Sequence, residues 1–298
     1  MADELIAIAS KGASPGLSAR IHPLGAELWS LADGQGREYM TDADPAFWTG
    51  HAPLLFPIVG GLNGGQYRLG ERSYELARHG FARRSQFAVV DQGEDHVRLR
   101  LSDTEATRAV YPFAFVLDMA FRVEGASLRM TASVTNAGDV PMPFSFGYHP
   151  AFAWPLPGGA RGAAHRIVFE REEGAAVRRL DRESGALLPQ GQASPVQGRE
   201  LLLDAALFAE DAMIWTQLAS RSLSYGADGG PWLDIDFPDT PYLGLWQVPG
   251  AHYLCIEPWA GHADPQGFAG DFTQKPGIET LAPGETRSFR MDVSVRAG

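Results

Sequence analysis

The chain has 298 residues and a formal net charge of −11 at pH 7, and 45% of its residues are hydrophobic. That hydrophobic content can fill a sizeable core, in one large β domain or two ordinary domains. The acidic charge argues against nucleic acids and anionic membranes as partners, because both require a basic surface, and it leaves neutral small molecules open. Neither a secretory signal pattern nor a stretch of transmembrane length is present, so we expect a cytoplasmic protein, as a monomer or a homodimer.

Short segments of apolar residues, separated by glycine and proline, begin at the N-terminus and predict β-strands. Residues 44–58 are rich in aromatic residues and proline, which favours a buried irregular connection over a helix. Residues 103–110 form a modest helix candidate. The strands predicted in this half are Leu5–Ala9, Leu17–His22, Ala26–Leu31, Arg37–Met40, Gln66–Leu69, Ser73–Leu76, Ser85–Asp91, His96–Leu101, Phe115–Val123 and Leu128–Asn136.

The second half returns to strands after a polar, loop-rich region over residues 156–200, and residues 203–208 are a second brief helix candidate. No linker divides the strands into two blocks. We therefore predict one all-β domain over residues 1–298, with two large sheets packed face to face and one concave side. The strands predicted in this half are Phe144–His149, Arg166–Phe169, Met213–Leu218, Ser222–Tyr225, Trp232–Phe237, Leu243–Gln247, Tyr253–Glu257 and Thr286–Val295.

The segment from Phe144 to Phe152, FSFGYHPAF, places a histidine at the end of an aromatic strand. Successive side chains point to opposite faces, so the aromatic residues share a core face while Ser145, Gly147 and His149 share the other. That second face is almost bare, which suits a floor for a flat ligand. Pro150 is expected to end the strand at His149. A structural histidine bonded to a backbone carbonyl is the alternative.

The segment from Tyr253 to Gly261, YLCIEPWAG, has the same arrangement with a carboxylate. Period two places Tyr253, Cys255 and Glu257 on one face, and Glu257 is predicted to end the strand before a proline. Partial burial there raises the pKa of Glu257 toward that of a useful base, unless an arginine pairs with it. Cys255, the single cysteine, cannot form an intramolecular disulfide and is predicted to be a small core residue.

A glycine-rich stretch over residues 60–65 lacks the GK[ST] ending of a phosphate loop and is predicted to be a hairpin. It is followed by RHGFARR, residues 78–84, in which His79 precedes a glycine that allows a ligand or backbone to approach closely. We interpret Arg84 as a solvated surface residue.

These motifs occur together, in order, in one known family. HGFAR, GYHPAF and CIEPW, with an early GAEL, an LFPIVG segment and an LGLW strand, make the chain similar to the aldose 1-epimerase (mutarotase) family, and in particular to its LacX-like branch. The resemblance covers nearly the whole chain. It implies a β-supersandwich of the galactose mutarotase-like type, a sugar substrate, and neither a metal nor an organic cofactor.

The resemblance also implies roles for individual residues. Glu257 is the base that removes the proton of the C1 hydroxyl, His149 is the acid that protonates the ring oxygen, and His79 binds the sugar near that oxygen. Asp211 is the nearest match to the family aspartate that holds sugar hydroxyls, with Asp234 and Asp236 as weaker rivals. Trp246 and Trp259 are candidates for contacting the sugar ring.

One position departs from the family pattern. Gly61 stands where relatives usually have an arginine that contacts the sugar, and Arg83 or Arg78 is predicted to replace that arginine. A hexose 6-phosphate substrate would suit the arginines of residues 78–84. Two further alternatives are a non-catalytic carbohydrate-binding module and a metal site formed by His79, His149 and Glu257.

Overall fold

A computed structural model describes residues 4–12, 16–160 and 162–297. The strands are β1 (Ile6–Ala9), β2 (Leu17–His22), β3 (Glu27–Asp33), β4 (Leu54–Leu55), β5 (Gln66–Leu69), β6 (Arg72–Glu75), β7 (Ala88–Gln92), β8 (His96–Ser102), β9 (Phe115–Glu124), β10 (Ser127–Asn136), β11 (Met142–Phe144), β12 (Phe146–Tyr148), β13 (Ala151–Ala153), β14 (Arg166–Phe169), β15 (Val177–Leu180), β16 (Leu187–Gln192), β17 (Glu200–Leu202), β18 (Met213–Trp215), β19 (Ser222–Gly226), β20 (Trp232–Asp236), β21 (Tyr242–Trp246), β22 (Tyr253–Ala260), β23 (Glu279–Leu281) and β24 (Thr286–Arg296). Helical structure in these residues comprises α1 (Glu105–Val110) and short 3-10 turns at Asn63–Gly65, Ala82–Arg84, Ala205–Phe208 and Phe272–Gln274.

Two large antiparallel sheets account for most of these strands. The nine-stranded sheet has the order β17-β14-β19-β20-β24-β10-β9-β8-β7. The eight-stranded sheet has the order β16-β15-β18-β21-β22-β12-β4, and β13 pairs with β22 beside this path. The remaining strands form three small sheets, β1-β2-β3, β11-β23 and β5-β6. The prediction of an all-β fold with two large sheets is confirmed.

The two large sheets pack against each other through aromatic side chains. The ring of Phe146 on β12 stacks on Phe289 of β24, with 5.1 Å between centroids. The Tyr148 hydroxyl donates to the carbonyl of Phe289 at 2.8 Å and accepts from the amide of Ala132. Successive side chains of a strand point to opposite faces, so Phe146 and Tyr148 of β12 both face the other sheet. Gly147, between them, lies on the opposite face.

Several predicted elements differ in the structure. Residues 37–40 form isolated bridges in place of a strand, because the Glu38 carboxylate accepts from the amides of Leu31 and Met40 that a ladder would use. The loop-rich region over residues 156–200 also contains β15 and β16. The second helix candidate is a 3-10 turn, capped by the Asp204 carboxylate. Residues 60–65 connect to the β5–β6 hairpin and do not themselves form one.

The first helix candidate is confirmed in its main part. The helix α1 begins after Thr104, whose hydroxyl accepts from the amide of Thr107 in a capping box. It is six residues long, and nowhere among the described residues does a helix combine the length and apolarity needed to cross a bilayer.

Candidate active site

The strand β22 supplies the carboxylate of the site. Its side chains alternate as predicted: Leu254 and Ile256 point into the core between the sheets, while Cys255, Glu257 and Trp259 lie on the opposite face. The predicted end at Glu257 is wrong, since β22 continues to Ala260. The strand can continue through Pro258 because its neighbours on that side, β12 and β13, are interrupted there and need no amide donor from position 258. The last donor before the interruption is the amide of Ile256, which binds the carbonyl of Pro150 between β12 and β13.

The histidine strand is divided at Ser145, whose amide donates to the carbonyl of Pro57. Residues before it pair with β23, and residues after it pair with β22 and β4. The predicted ligand floor at Gly147 is wrong: a Cβ there would lie 2.6 Å from the indole of Trp259, so that indole covers the bare face. Trp259 also covers Gly244 on β21 in the same way. The indole of Trp259 therefore forms part of the floor of the site.

His149 and Glu257 lie next to each other, just after β12 and on β22. His149 Nε2 is 3.3 Å from Glu257 Oε2, and both side chains are nearly fully buried. His149 Nδ1 is buried without a partner in the described part of the chain. The imidazole also stacks on the indole of Trp48, with 5.0 Å between centroids. The pair can exchange a proton directly across its contact.

Burial controls the charge of this pair. Desolvation raises the pKa of Glu257 well above its ordinary value, with Asp211 adding to the rise and Arg78 opposing it. Desolvation also lowers the pKa of His149, and the positive charges of Arg83 and Arg78 add to this. Both effects disfavour a charge on each group separately. They therefore widen the pH range over which the pair holds a single proton.

His79 is held in a single tautomer. Its Nδ1 accepts a hydrogen bond of 3.1 Å from the amide of Gly60, and its own amide donates to the carbonyl of Gly60. The ring hydrogen must then be on Nε2. Burial and the nearby positive charges lower the pKa of His79 well below its ordinary value, so the ring stays neutral. The backbone of His79 has φ +67°, and the next residue, Gly80, cannot carry a Cβ because one would lie 2.2 Å from the carbonyl oxygen of Phe56.

These groups line a cavity of about 270 Å³ on the outer face of the eight-stranded sheet. Its wall combines aromatic surface with polar groups, as small-molecule sites do. All eight predicted site residues line it, namely His79, His149, Glu257, Arg78, Arg83, Asp211, Trp246 and Trp259.

The polar rim is held by backbone contacts. Asp211 has φ +69°, and its carbonyl accepts from the guanidinium of Arg179 at 2.7 Å, which fixes the turn before β18. The Arg83 guanidinium donates to the carbonyl of Arg78, and its Nε is buried without a partner among the described residues. Arg78 is exposed at the cavity mouth. A carboxylate and two guanidiniums thus surround the entrance.

Comparison with known proteins assigns the chain to a family. The family model described as Aldose 1-epimerase matches residues 11–294. The chain belongs to the aldose 1-epimerase family. It is 31% identical to the plasmid-encoded protein LacX of Lactococcus lactis subsp. lactis, over 94% of this chain and 96% of that protein.

Solved structures of the same fold include a galactose mutarotase-like protein from Lactobacillus casei, at 27% identity and a TM-score of 0.88, covering 98% of this chain and 100% of that one. A galactose mutarotase related enzyme from Lactobacillus acidophilus has 29% identity and a TM-score of 0.87, with 98% of both chains covered. The predicted galactose mutarotase-like fold and the resemblance to the LacX-like branch are confirmed.

The structure argues against two alternatives that the sequence leaves open. Asp234 and Asp236 lie on β20 of the nine-stranded sheet, where Asp234 pairs with Arg296 at 2.9 Å. The residues of the alternative metal site, His79, His149 and Glu257, do not form a ligand set, because the amide of Gly60 donates to His79 Nδ1 and the Nε2 atom therefore carries the ring hydrogen. Among the described residues, the potential ligand atoms that lie within 4.8 Å of one another belong to His149, Glu257 and Cys255. Burial raises the pKa of the Cys255 thiol, which disfavours the thiolate a metal requires.

Trp48 is a site residue that the sequence reasoning missed. It comes from the irregular connection before β4 and lines the cavity, contacting His149 and, edge to face, Trp246. Gly50 allows this position, because a Cβ there would lie 2.4 Å from the indole. The available signal was a tryptophan within the dense aromatic and proline segment over residues 44–58.

A buried ion pair supports the loops behind the cavity. Lys275 Nζ lies 2.8 Å from Asp264 Oδ1, and both side chains are almost fully buried. The other carboxylate oxygen of Asp264 accepts from the amide of Asn63 at 2.9 Å, and the Asp264 amide donates to the carbonyl of Gly61. The pair thereby ties residues 60–63 to residues 263–264, which contribute Gly60 and Ala263 to the cavity wall.

Proposed function

We propose that this chain is an aldose 1-epimerase that interconverts the α and β anomers of an aldohexose, with Glu257 and His149 as its acid/base pair. The observation that carries the proposal is the 3.3 Å contact between Glu257 Oε2 and His149 Nε2 at the wall of a sugar-sized cavity. The anomeric hydroxyl oxygen and the ring oxygen are bonded to the same carbon. A base for one and an acid for the other can therefore act from adjacent positions.

The proposed reaction balances within this pair. The Glu257 carboxylate takes the proton of the C1 hydroxyl, the C1–oxygen double bond forms, the bond from C1 to the ring oxygen breaks, and that oxygen takes a proton from the His149 imidazolium. Rotation about the C1–C2 bond presents the other face of the aldehyde. Closure reverses each proton transfer, so no net proton, electron or group is gained or lost.

The charge states that this reaction needs are accessible. A carboxylate with an imidazolium contains the same single proton as the neutral pair, so it forms by transfer across the existing contact. Arg78 stabilises the carboxylate by opposing the rise in the pKa of Glu257, although its charge also lowers the pKa of His149. The Nε2–H group of His79, fixed by the bond to Gly60, is a neutral donor for the ring oxygen or a nearby hydroxyl.

The remaining wall suits a sugar. The Asp211 carboxylate can accept from sugar hydroxyl groups and the guanidiniums of Arg78 and Arg83 can donate to them. Three tryptophans can contact the apolar faces of a pyranose, namely Trp246, Trp259 and Trp48. In this proposal Arg83 and Arg78 replace the arginine that relatives usually have at the position of Gly61. This combination fits a neutral hexose without any cofactor in the reaction.

Polarimetry tests the proposal. Freshly dissolved α-glucose, α-galactose and glucose 6-phosphate are followed with wild-type protein, with Glu257→Gln, with His149→Asn and without protein. Each substitution should lower the rate by about a hundredfold or more, the usual scale for loss of a general acid or base. Asp236→Asn, which removes an exposed carboxylate far from the cavity, is the matched control and should leave the rate unchanged.

The same experiment separates the alternatives. Wild-type activity retained in both His149→Asn and Glu257→Gln would show that this pair is not the acid and base. Sugar binding by calorimetry without any acceleration would indicate a carbohydrate-binding protein. Acceleration restricted to glucose 6-phosphate would indicate a hexose-6-phosphate 1-epimerase. Metal analysis of the purified protein tests the remaining metal-site alternative.

A further inference from the structure

A second cavity opens beside the one that contains the acid/base pair. It also measures about 270 Å³, and the two cavities share Arg78 and Asp211 on their common border. Gly61 and the turn over residues 181–185 line the second cavity. Each cavity alone is slightly smaller than the usual range for small-molecule sites, whereas both together fall within that range and could hold a larger ligand.

The missing side chain at Gly61 creates this space. A Cβ at Gly61 would meet nothing closer than the carbonyl oxygens of Gly185 at 3.8 Å and Ser184 at 4.0 Å. The φ angle of Gly61 also lies outside the left-handed region, so the backbone accepts any L-residue. A long side chain at position 61 would extend into the second cavity.

The charges around the second cavity do not favour an anion. The lining contains two guanidiniums and three carboxylates. Arg182 donates to the carbonyl of Ala209, Asp181 accepts from Ser184, and Asp211 accepts from the amide of Ala212. A phosphate dianion would meet an excess of negative charge. The charged lining residues are Arg78, Arg182, Asp181, Glu183 and Asp211.

The backbone adds acceptors that suit hydroxyl groups. The carbonyl oxygens of Ser184 and Gly185 face the space at Gly61, and neither accepts a hydrogen bond within the described parts of the chain. Together with the guanidinium of Arg78 they provide both donors and acceptors without a dominant charge. This is the requirement of a neutral, polyhydroxylated group.

We propose that the second cavity is a subsite for a neutral glycosyl group, so that the preferred ligand is a reducing disaccharide. This inference rests on the proposed function, which places the anomeric carbon of the reducing ring at His149 and Glu257. The far hydroxyls of that ring then reach Arg78 and Asp211 on the border of the two cavities. A second pyranose attached to one of those hydroxyls enters the space that Gly61 leaves open.

Titration calorimetry tests the subsite by binding alone. Wild-type protein should bind maltose or lactose at least about tenfold more tightly than glucose, the scale of one or two added hydrogen bonds. Gly61→Gln should remove this preference while leaving glucose affinity within about twofold. Gly174→Gln is the matched control, because Gly174 has equally open surroundings but lies outside both cavities, and it should keep the preference.

Three results would overturn the subsite. They are equal affinity for disaccharides and glucose in wild-type protein, equal weakening of both ligands by Gly61→Gln, and a loss confined to glucose 6-phosphate. Polarimetry of α-glucose with wild-type protein is run separately. Absence of acceleration there would refute the proposed enzyme activity, whereas a Gly61-dependent preference for disaccharides would still support the subsite.

Discussion

Removing the charge of Lys275 should strongly destabilise the fold. The Lys275 ammonium is buried and lies 2.8 Å from Asp264, whose second oxygen binds the amide of Asn63. Lys275→Met keeps the length of the side chain but leaves a buried carboxylate with a single backbone donor. Breaking a buried pair in this way costs about 3–5 kcal/mol. The double variant Lys275→Met/Asp264→Asn leaves no unpaired charge and should recover at least about 1 kcal/mol of that loss.

Urea denaturation at pH 7, followed by tryptophan fluorescence, measures these free energies of unfolding. Lys11→Met is the matched control, because Lys11 makes an exposed contact of 3.6 Å with Asp95 and should cost less than about 1 kcal/mol. The reasoning is refuted if Lys275→Met costs no more than Lys11→Met, or if the double variant is less stable than Lys275→Met.

The pH dependence of kcat/KM should show a plateau across neutral pH, because burial lowers the pKa of His149 and raises that of Glu257. If kcat/KM, measured by polarimetry, instead fell at low pH with a midpoint near the ordinary pKa of histidine, the buried pair would be contradicted. Gly80→Ala should cost several kcal/mol more than Gly64→Ala in urea denaturation, since both glycines have positive φ but only at position 80 does a Cβ meet backbone. His51 has a pKa of about 4 in the folded protein, so between about pH 6.5 and pH 4 it gains a proton only on unfolding. The free energy of unfolding should therefore fall on acidification through this range, by about 1.4 kcal/mol per pH unit for each such histidine. A flat pH dependence in urea titrations would argue against this.

Local patterns were sufficient to predict the faces of the site strands. Period two correctly assigned Leu254 and Ile256 to the core and Glu257 to the other side, because alternation is a property of the strand itself. Contacts between distant segments were beyond such reasoning. Trp259 covers Gly147 across the sheet, and Trp48 reaches His149 from a connection about a hundred residues earlier in the chain.

The prediction that β22 ends at Glu257 was wrong for a related reason. A proline predicts a break only if its missing amide hydrogen would have been needed by a neighbouring strand. At Pro258 the neighbouring ladder is interrupted between β12 and β13, so β22 continues. That interruption depends on the pairing of a segment more than a hundred residues away, which the local sequence does not encode.

Different parts of the chain support Glu257 and shape the second cavity, which has a consequence for engineering. Glu257 lies on a continuous eight-residue strand whose other face is anchored in the core, whereas the second cavity is shaped by a glycine and a surface turn over residues 181–185. Libraries that vary the turn and position 61 would therefore sample new ligand shapes while leaving the carboxylate proposed to react, that of Glu257, on the same strand. Sugar preference should be exchangeable in this scaffold without redesigning the chemistry.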